Sequence, residues 1–146
     1  MKKLYIIFYL ILICLFFSSC RHQETYRLLN EENQISTISI ISISFDESGD
    51  VIQTELQEIK DKDAFLKDFR KVDCYTYYGD PKGVTEEGVN ANAIKILYEN
   101  DEYELINWKG QANYTSQRGF CFYKGYSVFD ETQFESLVSE YLSAKS

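Results

Sequence analysis

The chain has 146 residues, with 15 basic against 23 acidic side chains and a formal net charge of −8. A field of that sign repels phosphate backbones and anionic lipid surfaces, which argues against nucleic acid as a partner. With 45% hydrophobic and 16% aromatic residues the chain can bury one core, and it lacks the composition of a disordered tail.

Lys2 and Lys3 precede an apolar or aromatic run from Leu4 to Phe17, followed by Ser18, Ser19 and Cys20. A membrane-spanning helix needs ~20 apolar residues, so this run is short for a permanent span. It fits a secretory core with small residues at a cleavage site. The segment Phe17-Ser18-Ser19-Cys20 resembles the bacterial lipobox. The resemblance implies that residues 1–19 are a lipoprotein signal peptide and that Cys20 is the lipid-attachment residue. It also implies an exported protein, anchored to a membrane on the periplasmic or cell-surface face of a bacterial envelope. Two or more acyl chains would hold it stably, whereas one would hold it marginally. The plainer alternatives are an ordinary cleaved signal peptide or an uncleaved anchor. Without residues 1–19 the charge becomes −10, because Lys2 and Lys3 leave with them.

Residues 20–34 are polar and without a clear period, which suggests a tether ahead of a single domain, 35–146. From Ile35 to Phe45, Ile largely alternates with Ser or Thr, a strand signature. The alternation slips at Ile40-Ile41, which suggests a bulge. Asp46 to Asp50 is turn chemistry, and Val51 to Ile59 completes a hairpin. Asp61 or Asp63 can cap a helix over 62–72 with Phe65, Leu66, Phe69 and Val72 on one face.

Strands are expected at 73–78, 93–99, 103–109, 111–116 and 120–128, with a turn at Glu99 to Glu102. Asp130 caps the last element, and Gln133 is placed to complete a capping box. Phe134, Leu137, Val138, Tyr141 and Leu142 then repeat at helical spacing over 131–143. The expected fold is α+β: an antiparallel sheet of about five to seven strands with both amphipathic helices packed on one face. The stretches AIKILYENDEYELINWKGQANY and YSVFDETQFESLVSEYL are also similar to segments of small bacterial lipoproteins whose sheet ends in a helix opened by a Phe-Asp pair. That similarity transfers no chemistry.

Catalysis meets a shortage of parts. His22 is the only histidine and lies two residues from Cys20. There is no HExxH, CxxC, P-loop or GxGxxG, so no metal or cofactor is expected. Carboxylate pairs such as Glu86-Glu87 or Asp101-Glu102 could serve as acid and base, but an acidic chain holds such pairs by chance. Asp46 to Asp50 offers oxygen ligands close together, though a solvated hairpin turn explains it better than calcium.

Binding is the better expectation, and the chain is read as a non-enzyme. Tyr75 and Tyr77 share one strand face, and Trp108, Tyr114 and Tyr123 fall in later strands or turns. Aromatic residues on an exposed sheet face make contact surface at low entropy cost, although the same residues also fill cores. The stretch 79–92, with Glu86 and Glu87, is either a binding loop or partly a short edge strand. Cys74 and Cys121 could close a disulfide worth about 4 kcal/mol, or remain two buried thiols. The expected function is a non-catalytic domain that binds a protein or other macromolecule, as an inhibitor or immunity-like factor would. The alternative is a small-ligand or glycan-binding module using Trp108 and nearby tyrosines.

Overall fold

The computed structural model describes residues 23–48, 50–77, 91–115, 119–121 and 126–144. The proposed signal peptide, Cys20, His22, Glu86, Glu87 and Tyr123 lie outside the described residues. Among those described, the strands are β1 (Gln23–Glu24), β2 (Ile35–Phe45), β3 (Val51–Glu58), β4 (Cys74–Tyr77), β5 (Ala91–Tyr98), β6 (Tyr103–Asn107), β7 (Gly110–Thr115), β8 (Gly119–Cys121) and β9 (Tyr126–Phe129). The helices are α1 (Lys62–Phe69) and α2 (Glu131–Ser143). Every strand pairing among the described residues is antiparallel, and with the two helices the fold is α+β.

The strands divide into two sheets, where one was expected. Six run in the order β3-β2-β5-β6-β7-β8, and three in the order β1-β4-β9. Strand β4 reads locally like the others, but its partners are β1 and β9. Pairing between distant segments leaves no local trace, which is why a single sheet looked sufficient. The sheets meet where the Phe129 amide donates to the Trp108 carbonyl at 2.9 Å.

Local chemistry explains the hairpins. Asp46 Oδ1 accepts from the amides of Ser48 and Asp50, both at 2.8 Å, and shapes the β2–β3 turn. The register slips between Ile40 and Ile41, because Ile40 pairs with Gln57 and Ile41 with Glu55. The extra residue is Leu56 on β3, so the bulge lies on the partner strand. Ile40 and Ile41 themselves face opposite sides of β2, and both are buried. Between β5 and β6, Asp101 takes the left-handed conformation at φ 63°, which short polar side chains tolerate. Between β6 and β7, Asn107 Oδ1 accepts from the amides of Lys109 and Gly110, leaving Trp108 and Lys109 as a two-residue loop.

Asp61 caps α1 by accepting from the Ala64 amide at 2.9 Å. The helix stops at Phe69, short of the expected 72. There Lys71 donates to the Asp68 carbonyl and Val72 to Phe69, a three-residue spacing that tightens the last turn. Helix α2 covers its expected span, but its capping box is half made. Asp130 accepts from the Gln133 amide at 2.9 Å. The Gln133 side chain turns away to Asp73, accepting from its amide and donating to its carboxylate, each at 2.8 Å. That exchange ties the start of α2 to the approach of β4.

Two apolar clusters result. The larger joins Ile38, Ile40, Ile94, Ile96 and Ile106 to Phe65 and Phe69 of α1 and Phe134, Leu137 and Val138 of α2. The smaller holds Ile41, Ile43, Ala93 and Leu105, rimmed by Phe45, Val51 and Tyr103, and contains no helix residue.

Candidate functional site

Alternation along β6 sends Tyr103, Leu105 and Asn107 to one face and Glu104 and Ile106 to the other. Leu105 belongs to the smaller cluster and Ile106 to the larger. Around the smaller cluster stands a connected polar and aromatic array. Tyr103 and Tyr114 are register partners, and their rings stack with centroids 4.7 Å apart and planes 16° from parallel. Lys95 Nζ lies 4.4 Å from the Tyr103 ring centroid, within cation–π range. The same ammonium donates to Gln53 Oε1 at 2.9 Å, and Gln53 Nε2 donates to the Tyr103 hydroxyl at 3.2 Å. Beside them Ser39 donates to Glu55 at 2.8 Å.

Burial lowers the pKa of Lys95, and the charge of Glu55 pulls it back up. Burial also raises the Tyr103 phenol, while the bond from Gln53 acts in the opposite sense. These side chains come from β2, β3, β5, β6 and β7, and their mutual bonds fix their rotamers. Stacking, cation–π attraction and amide hydrogen bonds are what the array can offer. Among the described residues no group of three or more His, Cys, Asp and Glu is placed to hold a metal ion.

No family model, curated protein or solved structure matches the chain. The site therefore rests on its own geometry.

That geometry regroups the residues singled out by sequence. Tyr114 is in the array, and its partner Tyr103 was missed. The signal was present: a two-residue loop at Trp108-Lys109 pairs Asn107 with Gly110 and so places Tyr103 opposite Tyr114. Trp108 is in that loop and packs against the larger cluster, with Lys109 Nζ 5.1 Å from its ring centroid. Tyr75 lies in the three-stranded sheet, paired with Gln23 and Val128. Tyr77 follows on the same strand, and its side chain lies outside the described residues, as do Glu86, Glu87 and Tyr123. The stretch 79–92 falls largely outside them too, except that β5 already begins at Ala91, ahead of the expected Ala93. Cys74 is buried in β4, whereas Cys121 is on β8 and its side chain is not described.

A second polar constellation is sealed inside. Glu104 is fully buried, on the same side of β6 as Ile106 of the larger cluster. Its carboxylate accepts from the hydroxyls of Tyr26 and Tyr98, from Gln111 Nε2 at 2.9 Å and from the Leu29 amide at 2.6 Å. Burial raises its pKa, and the four donors, which favour the charged form, offset only part of that rise. Burial and the neighbouring carboxylate hold the Tyr26 phenol well above its ordinary value.

This constellation corrects the tether reading of 20–34. Tyr26 is a core residue, Leu28 and Leu29 pack against it, and β1 pairs with β4. Arg70 also donates to Glu32 in an ion pair. Residues 23–34 are part of the domain, clasped onto it by a buried carboxylate.

Proposed function

We propose that the chain is a lipoprotein, anchored by lipid on Cys20, whose domain binds a protein partner of the cell envelope without catalysing a reaction. In this reading both helices cover one face of the six-stranded sheet, and the opposite face carries the binding surface. The observation that carries it is the array of Tyr103, Tyr114, Lys95 and Gln53, whose side chains hold one another in place, with Glu55 held beside them by Ser39. Preorganised aromatic and amide groups bind without losing much side-chain entropy. The negative charge favours a basic partner and speeds its capture, as an inhibitor or immunity-like factor requires.

Strand β1 begins at Gln23, three residues after Cys20. Three residues reach at most about 11 Å. The anchor would thus hold the domain close to the bilayer, with little leash. A glycan-binding reading is weaker, since Trp108 is packed on the core and Lys109 stands over its ring.

Two measurements test the two halves of the proposal. A clickable palmitate analogue fed to expressing bacteria should label the full chain, and Cys20→Ser should lose the label. Retained labelling in that variant would sink the assignment of Cys20. Envelope proteins captured by the wild-type chain should be lost with Tyr114→Ala, and unchanged capture would sink the sheet-face assignment.

A further inference from the structure

We propose that β3 is a docking edge for an extended segment of the partner bearing lysine or arginine, which joins the six-stranded sheet as an added strand. This rests on the reading of the domain as a protein-binding module and names the place and chemistry of the contact.

Strand β3 ends the sheet, paired with β2 on one side and with nothing on the other among the described residues. Its eight residues span about 26 Å of backbone at ~3.3 Å per residue. Soluble proteins commonly blunt such an edge with lysine, proline or a very short strand. From Val51 to Glu58 there is no lysine and no proline. The devices of that kind within the strand are the bulge at Leu56 and the charges of Glu55 and Glu58, and those charges would admit a basic segment while opposing an acidic one. The exposed large hydrophobic residues among those described are Ile52, at 44% of full exposure, and Leu56, at 39%, and both are on β3. An added strand has apolar side chains to cover as well as backbone groups to pair.

At its C-terminal half the edge opens into a groove of about 480 Å³, reaching Tyr141 of α2. Gln57 lines this groove, and its buried Oε1 has no donor among the described residues. Glu55, Glu58 and Asp61 line it too, against the single cation of Lys60. None of the three carboxylates is in an ion pair among the described residues.

Charge decides between two occupants. A second copy pairing along β3 would bring the same acids, Glu55 and Glu58, and no basic residue to the edge, so it offers no charge complementarity. A segment alternating basic and β-branched residues meets Glu55 and Glu58 on one face and covers Ile52 on the other.

The test uses the full chain in nonionic detergent micelles. The probe is a fluorescent peptide, Lys-Val-Lys-Val-Thr-Val-Lys, read by anisotropy at low salt. Two controls are its glutamate-for-lysine counterpart and a version N-methylated at alternate amides. The parent peptide should bind, and both controls should bind at least about tenfold more weakly, the loss expected when charge complementarity or ladder bonds are removed. The double variant E55Q/E58Q and the single variant Leu56→Lys should each weaken binding by a similar factor, whereas E131Q/E140Q on α2 should not. Melting curves superimposable on wild type would assign these losses to the edge and not to unfolding.

Equal binding of the N-methylated peptide would overturn the proposal, as would equal loss in E131Q/E140Q. A dimer in sedimentation that Leu56→Lys dissociates would overturn it in favour of a second copy. The two readings fail separately. Envelope capture lost with Tyr114→Ala but intact in Leu56→Lys, a residue outside the array, removes the edge and leaves the sheet face. The reverse result removes the sheet face and leaves the edge.

Discussion

The two apolar clusters are built by alternate residues of the same strands, yet they are finished differently. Ile40 and Ile41 are neighbours in β2, but the first belongs to the cluster that includes residues of both helices and the second to the one that includes none. The larger cluster draws on α1, α2, both sheets and the N-terminal segment, and its rings interlock from Tyr26 through Phe69 to Phe129 and Phe134. The smaller draws on three strands and is rimmed by groups that include a hydrogen-bonded and stacked set. Under the proposed function, one face serves stability and the other contact. The variants below separate those roles, in descending order of effect on stability.

Phe134 is fully buried, with its ring 5.6 Å from that of Phe129. Phe134→Ala should lower the unfolding free energy by about 3–5 kcal/mol, through lost burial and the cavity left behind. Urea titration reads this directly. A loss under about 1 kcal/mol would mean that the larger cluster is not what holds the domain together.

The clasp at Glu104 comes next. Tyr26→Phe keeps the ring in the core but removes one of the four donors to a buried carboxylate. That should cost about 1–3 kcal/mol and expose residues 23–34 to limited proteolysis. The pH dependence has a definite sign. Glu104 titrates in the folded chain above its ordinary value of 4.5, so folding favours the protonated carboxyl. Its contribution is fully present below 4.5 and is lost as pH rises through the raised value. Asp68, lowered by its bonds from Lys71 and Tyr141, works the other way, and its contribution is lost as pH falls. The difference between wild type and Glu104→Gln cancels Asp68. That difference should move against wild type on going from pH 4 upward. A flat difference would show that the clasp does not titrate.

Asp130→Ala removes the oxygen that accepts from the Gln133 amide and should cost about 1 kcal/mol, seen as a small drop in melting temperature. If the loss is several times larger, the link from Gln133 to Asp73 depends on the cap, and the two must be counted as one unit.

Which parts could be read from the chain follows from the range of the interactions. Turn chemistry at Asp46, Asp61 and Asp130 acts within four residues, so the hairpin and both helix starts were legible. The bulge was legible as a slip at Ile40-Ile41, although the added residue is Leu56 across the ladder. Glu104 was not legible. A glutamate in an alternating strand is ordinarily solvated, and its partner Tyr26 lies 78 residues away in a stretch that looks like a spacer. Separation along the chain also hid the second sheet, since nothing near Cys74 says that β4 pairs with Gln23 and Phe129. For the candidate site, Tyr114 was legible as an aromatic strand residue. Its grouping with Tyr103 and not Trp108 depended on where the Asn107–Gly110 loop sets the register.

Tyr114→Ala sharpens the comparison most, because its two readouts should part. Tyr114 stacks on Tyr103 across one strand pair and is not in the larger cluster. A cross-strand aromatic pair contributes about 0.2–1 kcal/mol, so the variant should unfold within about 1 kcal/mol of wild type. Tyr103 would lose its stacking neighbour while keeping Lys95 at its ring and Gln53 at its hydroxyl. Partner capture should nonetheless fall by at least about tenfold, since aromatic anchors at the centre of an interface carry ~2 kcal/mol or more. Conservative replacement by Phe keeps the stack and should restore most of it. If stability and capture instead fall together, and Phe restores both, Tyr114 belongs to the core, and the face without helices is a second hydrophobic surface of the fold with no recognition role.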